Sequence, residues 1–236
     1  MGLTIHYSLD APVQSLSQAL RLMEQLRNKA LDLPFSEVRE VVQLTEQECK
    51  CYDRDPNDPL RCLLRQAERF VVDGDEYHGV QPDQLVAFST WPGEGCEQAN
   101  FGLAVYPKTI EIQDASGKKK TLDTDIEPWS WQSFCKTEYA SDPACWGIEN
   151  FLRCHLSIIN LLDHARTLGI LKEVSDEGAY WENRDVRSLA EEVVRWNEQM
   201  AGLAGKMKDL LGGHVEAAIM KFQNFEHLEA KGRKDE

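Results

Sequence analysis

The sequence predicts an α+β fold with an N-terminal β-α-β unit, a central antiparallel β-meander and C-terminal helices packed on the sheet. Three observations predict it: apolar residues alternate at the N-terminus, short apolar runs separated by turn residues fill the middle, and helical periodicity dominates the last third. With 236 residues and 42% hydrophobic content, the chain can bury a core. We expect a single α+β domain over residues 1–232 and a frayed tail at 233–236.

The N-terminal unit begins with alternating apolar residues, which indicate a half-buried strand: Leu3, Ile5 and Tyr7. A helix capped by Asp10 follows and runs to about Leu31. Residues 35–45 then predict a second strand, which completes the β-α-β unit.

The middle of the chain predicts mostly strands. Residues 46–59 are polar and indicate a loop, and apolar spacing over 60–70 indicates a short helix. Four short runs separated by glycine-containing turns then predict the meander: 85–91, 101–106, 109–113 and 119–122.

Three helices are expected in the last third. One covers 148–162 with Gly169 as a stop, and a short strand or loop at 170–175 follows it. The second begins at Asp185 as cap and ends before Gly212. The third covers 215–230.

The charge balance excludes one class of partner. With 26 Lys and Arg against 40 Asp and Glu, the net charge of −14 is the wrong sign for a nucleic-acid-binding surface. Residues 70–107 contain neither Lys nor Arg, and we interpret this acidic run as a solvated face, with docking of a basic partner as the alternative. No apolar run is long enough for a membrane span, and no export signal is evident, so we expect a soluble cytoplasmic protein without membrane contact.

Seven cysteines at irregular spacing favour reduced thiols. Cys49, Cys51 and Cys62 place three sulfurs near one another in the sequence, as a zinc site would, but their spacing is not that of the common zinc frameworks. We therefore predict neither a metal nor a cofactor.

The densest cluster of aromatic residues lies between Pro128 and Phe151. Six of these 24 residues are aromatic, against 8% of the whole chain, and residues 128–147 include no Leu, Ile, Val or Met. Because core rings normally have aliphatic neighbours, we expect these rings to face outward at an edge or groove. The predicted ligand-binding residues are Trp129, Trp131, Lys136, Tyr139, Arg153 and Trp181.

Catalytic candidates are fewer. The common phosphate-loop, metalloprotease and serine-hydrolase motifs are absent from the sequence. Cys135 lies beside Lys136, whose charge favours a thiolate, and His155 is the nearest downstream base, although its place on an apolar stripe favours a hydrogen-bonded core histidine. In the acidic stretch 176–185, three carboxylates are candidates for proton transfer or cation binding: Asp176, Glu177 and Glu182. The alternative is helix capping by Asp185 with the other acids at the helix start.

Two functional classes remain. The first is a protein- or ligand-binding, or assembly, module that uses the aromatic segment 128–151 as anchor and the acidic surface for partner choice, with a protein or a small molecule as partner. The second is a small intracellular hydrolase or transferase whose pocket combines the same rings with the 176–185 acids. The absence of standard motifs favours binding. A ring-rich surface that needs a cover also predicts a homodimer.

Overall fold

A computed structural model describes residues 3–49, 55, 58–113, 117–212 and 215–234 of the chain. It confirms the α+β class. The first strand, β1 (Thr4–Asp10), buries Ile5, Tyr7 and Leu9 as the alternation predicts. Helix α1 (Leu16–Leu31) follows, but its cap is Ser15 rather than Asp10, because the Ser15 side chain accepts a hydrogen bond from the backbone amide of Gln18.

The next elements are shorter and more broken than the sequence predicts. The expected strand over 35–45 is two pieces that both pair with the strand Gln84–Trp91, and the helix expected to Phe70 stops at Ala67, since Phe70 already belongs to a strand. The bounds are β2 (Glu37–Val38), β3 (Val42–Thr45), α2 (Pro59–Ala67), β4 (Arg69–Asp73), β5 (Glu76–Val80) and β6 (Gln84–Trp91). Part of the predicted 46–59 loop, residues 50–54, 56 and 57, lies outside the described residues.

The remaining elements are β7 (Ala99–Val105), β8 (Thr109–Gln113), β9 (Lys119–Asp123), β10 (Ser130–Lys136), α3 (Gly147–Thr167), β11 (Leu171–Asp176), α4 (Tyr180–Asn183), α5 (Val186–Leu211) and α6 (Phe225–Gly232). Helix α5 begins at Asp185 as cap and ends at Gly212, as predicted. The third predicted helix, over 215–230, is instead a 3₁₀ turn at Ala218–Lys221 followed by α6.

The main sheet is antiparallel, with the strand order β11-β1-β10-β7-β6-β2, and β3 also pairs with β6. The predicted meander is therefore only partly correct. Strands β6 and β7 form a hairpin in this sheet, whereas β8 and β9 form a separate two-stranded sheet, as do β4 and β5. Strand β10 then returns to the main sheet between β1 and β7, which places the first part of the aromatic segment inside this sheet.

The largest core cluster combines one face of β1 with apolar side chains of α1, β6, β7 and α3. A second cluster joins Leu3 and Phe151 to Leu189, Val193 and Trp196 of α5. A third lies between α5, the 3₁₀ turn and α6. The C-terminal helices thus pack on the sheet and on each other. Among the described helices, none combines the length and apolar character needed to cross a bilayer.

Candidate functional site

The two tryptophans that begin the aromatic segment are core residues. Trp131 is completely buried and Trp129 is 5% exposed. Trp131 lies directly opposite Leu9 on the buried face of the sheet, and its Nε1 donates to the backbone oxygen of Asn100 over 2.9 Å. The prediction that both rings face a ligand is wrong, because β1, α1 and α3 supply the aliphatic neighbours that residues 128–147 lack.

The other rings of the segment diverge in environment. Phe151 is fully buried, and Tyr139 packs edge-on against Trp196 with ring centroids 5.7 Å apart. Phe134 is 37% exposed, whereas Trp146 is 85% exposed. The indole of Trp146 is therefore the large ring of this segment that another molecule can reach most fully.

Local backbone geometry holds Trp146 outward. A 3₁₀ turn (Pro143–Cys145) precedes it, capped by Asp142, whose side chain accepts from the amide of Ala144 over 2.9 Å. Trp146 itself has a φ of +75°, in the left-handed region that bulky residues seldom adopt, and α3 starts immediately after it. Such strained positions cluster at functional sites.

Trp146 lies at a cleft of about 590 Å³ between the start of α3 and the last two helices. Apolar walls come from Ile148, Val194 and Leu228, and polar walls include Glu149, Asn197, Glu198, His227 and Lys231. Asn197 and Ser141 hydrogen-bond to each other at the base of this region. Lys231 is paired with Glu198 over 2.9 Å, so this cation is neutralised within the chain.

The surroundings of Trp146 are acidic. Glu149 is exposed and lines the same cleft. The carboxylates of Asp142 and Glu94 both act on the neighbouring Cys145, whose thiol pKa is raised by burial and by these two charges. Glu94 belongs to the acidic run 70–107, so that run contributes charge at this site.

The ring of Trp181, another predicted ligand-binding residue, is already covered by two arginine side chains of the same chain. The guanidinium carbons of Arg184 and Arg166 lie 4.5 and 4.8 Å from the centre of its ring. Both arginines also bond to the carboxylate of Asp163. This ring is therefore a structural cation–π site at the end of α3.

Arg153 does not reach towards a groove, contrary to the prediction. Its guanidinium donates to the backbone oxygens of Pro34 and Pro92 and to Asn150 Oδ1. These bonds join the segment after α1 and the loop after β6 to α3. Arg153 therefore holds these two segments against α3.

The structure does not support the predicted catalytic use of Cys135 and Lys136. Cys135 is buried, its thiol donates to the Glu97 backbone oxygen over 3.2 Å, and burial raises the pKa of the thiol well above its usual range. Lys136 is the next residue on the strand and therefore points to the other face, where it lies 3.8 Å from Glu97 Oε1. The expectation that Lys136 favours a Cys135 thiolate is wrong.

His155 is the buried, hydrogen-bonded histidine that its apolar stripe predicts. Its Nδ1 lies 3.0 Å from Thr137 Oγ1, and its Nε2 lies 3.2 Å from Asp176 Oδ2. Burial raises the pKa of the Asp176 carboxyl, but the hydrogen bond and charge of His155, together with the amides of Trp181 and Gly178, hold that pKa below its usual range.

A hydroxyl, an imidazole and a carboxylate in this order also occur in nucleophilic hydrolases. Here the hydroxyl cannot meet a substrate, because Thr137 and His155 are completely buried and Thr137 Oγ1 donates to the Leu3 backbone oxygen over 3.0 Å. The network is therefore structural. The sequence indicates His155 and Asp176 as separate candidates and does not predict their hydrogen bond, because the two residues lie on different elements, α3 and β11.

The other acids of the 176–185 stretch do not converge with Asp176. Glu177 Oε2 accepts from the backbone amide of Thr4 over 3.0 Å. Asp185 caps α5, where its side chain accepts from the Arg187 amide and the Ser188 hydroxyl, which lowers the pKa of this carboxyl. Glu182 is exposed on α4. Helix capping therefore accounts for Asp185. Asp176, Glu177 and Glu182 do not share a catalytic pocket with it.

A second concave region, of about 350 Å³, lies on the open face of β1, β10 and β11. Its exposed side chains are His6, Gln132, Phe134, Glu173 and Ser175. His6 and Phe134 are cross-strand neighbours with ring centroids 5.8 Å apart. Of the alternating polar residues of β1, His6 is exposed here, whereas Thr4 and Ser8 are buried, and the exposed side chains of this region indicate no particular chemistry.

The cysteines considered for a zinc site lie in different environments where the structure describes them. Cys49 is buried and Cys62 is exposed, while Cys51 lies outside the described residues. Among the residues that the structure describes, no group of three or more His, Cys, Asp or Glu side chains has an arrangement that could hold a metal ion.

Comparison with known proteins identified no relative: no family model, curated protein or solved structure matches this chain.

Proposed function

We propose that this protein is a non-catalytic binding module that holds a basic polypeptide segment at the cleft beside Trp146. The observation that carries the proposal is the 85% exposure of the Trp146 indole. A tryptophan side chain loses little conformational entropy on binding and supplies a large contact area, which is why tryptophan is enriched at the centres of interfaces. Its left-handed backbone adds support, because strained positions of this kind cluster at functional sites.

The charges around the ring favour a cationic partner. Glu149 lines the cleft, and Glu94 and Asp142 lie close enough to act on Cys145, the residue before Trp146. An arginine or lysine of the partner would stack on the indole and face these carboxylates. The net charge of −14 would also speed the association of a basic segment.

The chain contains an internal example of the same chemistry. Arg166 and Arg184 stack on Trp181 and share the carboxylate of Asp163. At Trp146 the ring and the carboxylates are present, and among the described residues no arginine or lysine lies over the indole. We propose that the partner supplies this cation.

The alternative of a hydrolase or transferase has less support. Cys135, His155 and Asp176 are buried and make hydrogen bonds within the fold, His155 is closed to solvent, and Lys136 pairs with Glu97 on the surface. A cytoplasmic location, and the absence of nucleic-acid and membrane partners, stay predictions based on the charge, the cysteine pattern and the lack of a long apolar run or an export signal in the sequence.

The test measures binding of a fluorescently labelled octapeptide of alternating arginine and glycine by polarisation. Trp146→Ala keeps the net charge, and we expect it to weaken binding about five-fold, because a cation–π contact at a partly exposed site contributes about 1 kcal/mol. Glu149→Gln is expected to weaken binding in the same direction, with a smaller effect at high salt.

The matched control is Tyr77→Ala, which removes another exposed ring, 73% exposed, from the β4–β5 hairpin. It should leave the affinity unchanged. Equal binding by Trp146→Ala and the wild type would overturn the proposal. Tighter binding of the corresponding glutamate peptide would do so as well.

We also propose that the protein forms a homodimer, on an observation separate from the aromatic segment. The C-terminal half of α5 exposes four apolar side chains at positions i, i+4, i+7 and i+8: Leu203, Met207, Leu210 and Leu211. This spacing places them on one face of the helix. We call this face the α5 stripe. Two copies meeting through the α5 stripe would cover both faces in a symmetric contact.

A further inference from the structure

A small pocket lies where the start of β4 and the segment before β10 meet β1, β10 and β11. Its volume is about 260 Å³, below the ~300–1,000 Å³ that is usual for sites of drug-sized ligands. The pocket adjoins the concave region on the open face of the sheet and shares Ser8 and Gln132 with it, which are cross-strand partners. A pocket of this size suits a molecule with the dimensions of an amino acid.

Two cations line the pocket, Arg69 of β4 and Lys172 of β11. Arg69 is held in place by its Nη1, which donates to Gln132 Oε1 over 2.6 Å, and by the Tyr106 ring, whose centroid lies 5.7 Å from the guanidinium carbon. Within the described ranges, no carboxylate forms an ion pair with Arg69. Lys172 Nζ lies 3.9 Å from Asp10 Oδ2, which is beyond hydrogen-bond range. Arg69 therefore keeps N–H donors for an anionic group.

Two carboxylates line the same pocket, those of Asp125 and Glu127. Both residues are exposed and belong to the segment between β9 and β10. Hydrogen bonds fix this segment, because Ser130 Oγ donates to the Glu127 backbone oxygen over 2.6 Å and the Trp129 backbone oxygen accepts from the Ala11 amide over 3.2 Å. In the part of the chain that the structure describes, neither carboxylate has an ion pair or a hydrogen bond. Charges of opposite sign thus line one pocket without pairing across it.

A nearly buried hydroxyl adds to this polar lining. Ser8 is 8% exposed, and its Oγ has no hydrogen-bond partner among the described residues. A polar group that is largely removed from water without gaining a partner costs free energy, so a ligand atom that bonds to this hydroxyl would be stabilised. Apolar surface lies beside the polar groups, since Phe70 is 60% exposed and Ile126 is half-buried, and both line the pocket.

We propose that this pocket binds a free α-amino acid with an aliphatic side chain, such as leucine. The carboxylate of the amino acid would bond to Arg69 and to the Ser8 hydroxyl, and its ammonium group would face Asp125 and Glu127. The aliphatic side chain would lie on the apolar surface of the pocket. A zwitterion satisfies both signs of charge at once, whereas a simple anion is repelled by the two carboxylates and a simple cation by the two basic side chains.

The inference does not depend on the proposed binding of a basic segment, because no residue lines both this pocket and the cleft beside Trp146. The two proposals can therefore fail separately.

Isothermal titration calorimetry of the full-length protein with L-leucine tests the proposal. We expect saturable binding with a Kd of about 1 mM or tighter, as suits a ligand with so few atoms. Isocaproate, which lacks the ammonium group, and isoamylamine, which lacks the carboxylate, should each bind at least about ten-fold more weakly. Lack of leucine binding at about ten times that concentration, or equal affinity for either analogue, would refute the proposal.

A variant places the binding at this pocket. Asp125→Asn removes one carboxylate and keeps the backbone, because asparagine is well tolerated at the φ of +50° that Asp125 adopts. We expect it to weaken leucine binding at least about five-fold. The matched control is Asp123→Asn, which makes the same change of charge at an exposed position of β9 that does not line the pocket, and it should bind leucine like the wild type.

Trp146→Ala should also keep the affinity for leucine, which separates this pocket from the cleft beside Trp146. Unchanged leucine binding in Asp125→Asn, or an equal loss in Asp123→Asn, would contradict the assignment of this pocket.

Discussion

The hydrogen bonds of His155 show how a histidine set between a hydroxyl and a carboxylate can stabilise the fold instead of catalysing a reaction. Thr137 follows β10, His155 lies on α3 and Asp176 ends β11, so one imidazole joins three elements. All three side chains are buried, and each makes a hydrogen bond in this network. Buried polar groups of this kind are costly when a partner is removed.

Asp176→Ala is therefore expected to destabilise the protein by about 3 kcal/mol, because it leaves His155 Nε2 and the amides of Gly178 and Trp181 without an acceptor. In a chain of this length such a loss lowers Tm by roughly 6–12 °C. Thermal unfolding followed by circular dichroism measures the change.

The control is Glu182→Ala, which removes an exposed acid six residues further along. It should change the stability by less than about 0.5 kcal/mol. If both variants unfold at the same temperature as the wild type, the network does not hold α3 to the sheet edge.

Among the elements, α5 shows what local signals can predict. Asp185 accepts from the amide of Arg187, and Gly212 adopts a φ of +67° at the other end. Both signals act within one turn, so the sequence predicts both ends correctly. The predicted helix over 215–230 lacks such end signals in its first half, and in that half the structure has a 3₁₀ turn instead.

The α5 stripe gives the prediction at this scale. Leu210 is 83% exposed, so Leu210→Lys should leave the fold intact while placing a charge in the proposed contact. We expect the wild type to be dimeric at micromolar concentration and the variant to associate at least about ten-fold more weakly, since a charge in an apolar interface costs more than about 1.4 kcal/mol. Light scattering after size-exclusion chromatography measures the mass.

Leu31→Lys is the matched control, because Leu31 is 53% exposed on α1 and lies outside the α5 stripe. It should leave the mass unchanged. A wild type that stays monomeric at high concentration, or a loss of association in both variants, would count against the α5 stripe as the contact.

For the molecule as a whole, two buried acids oppose each other in the pH dependence of stability. The pKa of Asp176 is held low, so its contribution is present above the ordinary pKa of aspartate and is lost as the pH falls through the lowered value. The pKa of Glu138 is raised, chiefly by burial, so its contribution has the opposite sign. Glu138 favours folding below the ordinary pKa of glutamate, and this benefit is lost as the pH rises through the raised value.

Glu138 also has a buried oxygen, Oε2, with no hydrogen-bond partner among the described residues. Glu138→Gln is therefore expected to stabilise the protein at pH 7, by about 1 kcal/mol, because it removes the cost of an ionised, unpartnered carboxylate. The advantage should shrink as the pH is lowered towards 4. Tm measured from pH 7 to pH 4 follows both effects.

Glu191→Gln, at an exposed position of α5, serves as the control and should show no gain at any pH. A Glu138→Gln variant that is less stable than the wild type at pH 7 would mean that the carboxylate has a function in the fold that the present contacts do not explain.

The sequence by itself determined the fold class and the features that depend on near neighbours. The alternation in β1, the cap at Asp185 and the stop at Gly212 each involve residues a few positions apart, so their physical causes are visible in the sequence. The buried character of His155 belongs here too, because its apolar stripe is local to α3.

Only the tertiary structure decided which aromatic rings are reachable. Trp131 is buried because β10 lies between β1 and β7. Strand β1 precedes Trp131 by more than a hundred residues in the sequence, and β7 precedes it by about thirty. Trp146 is exposed because the turn before α3 directs it away from the same core. The partners of His155 likewise come from different elements. Composition predicts how many rings a segment carries, but distant strands and helices decide which of them a partner can touch.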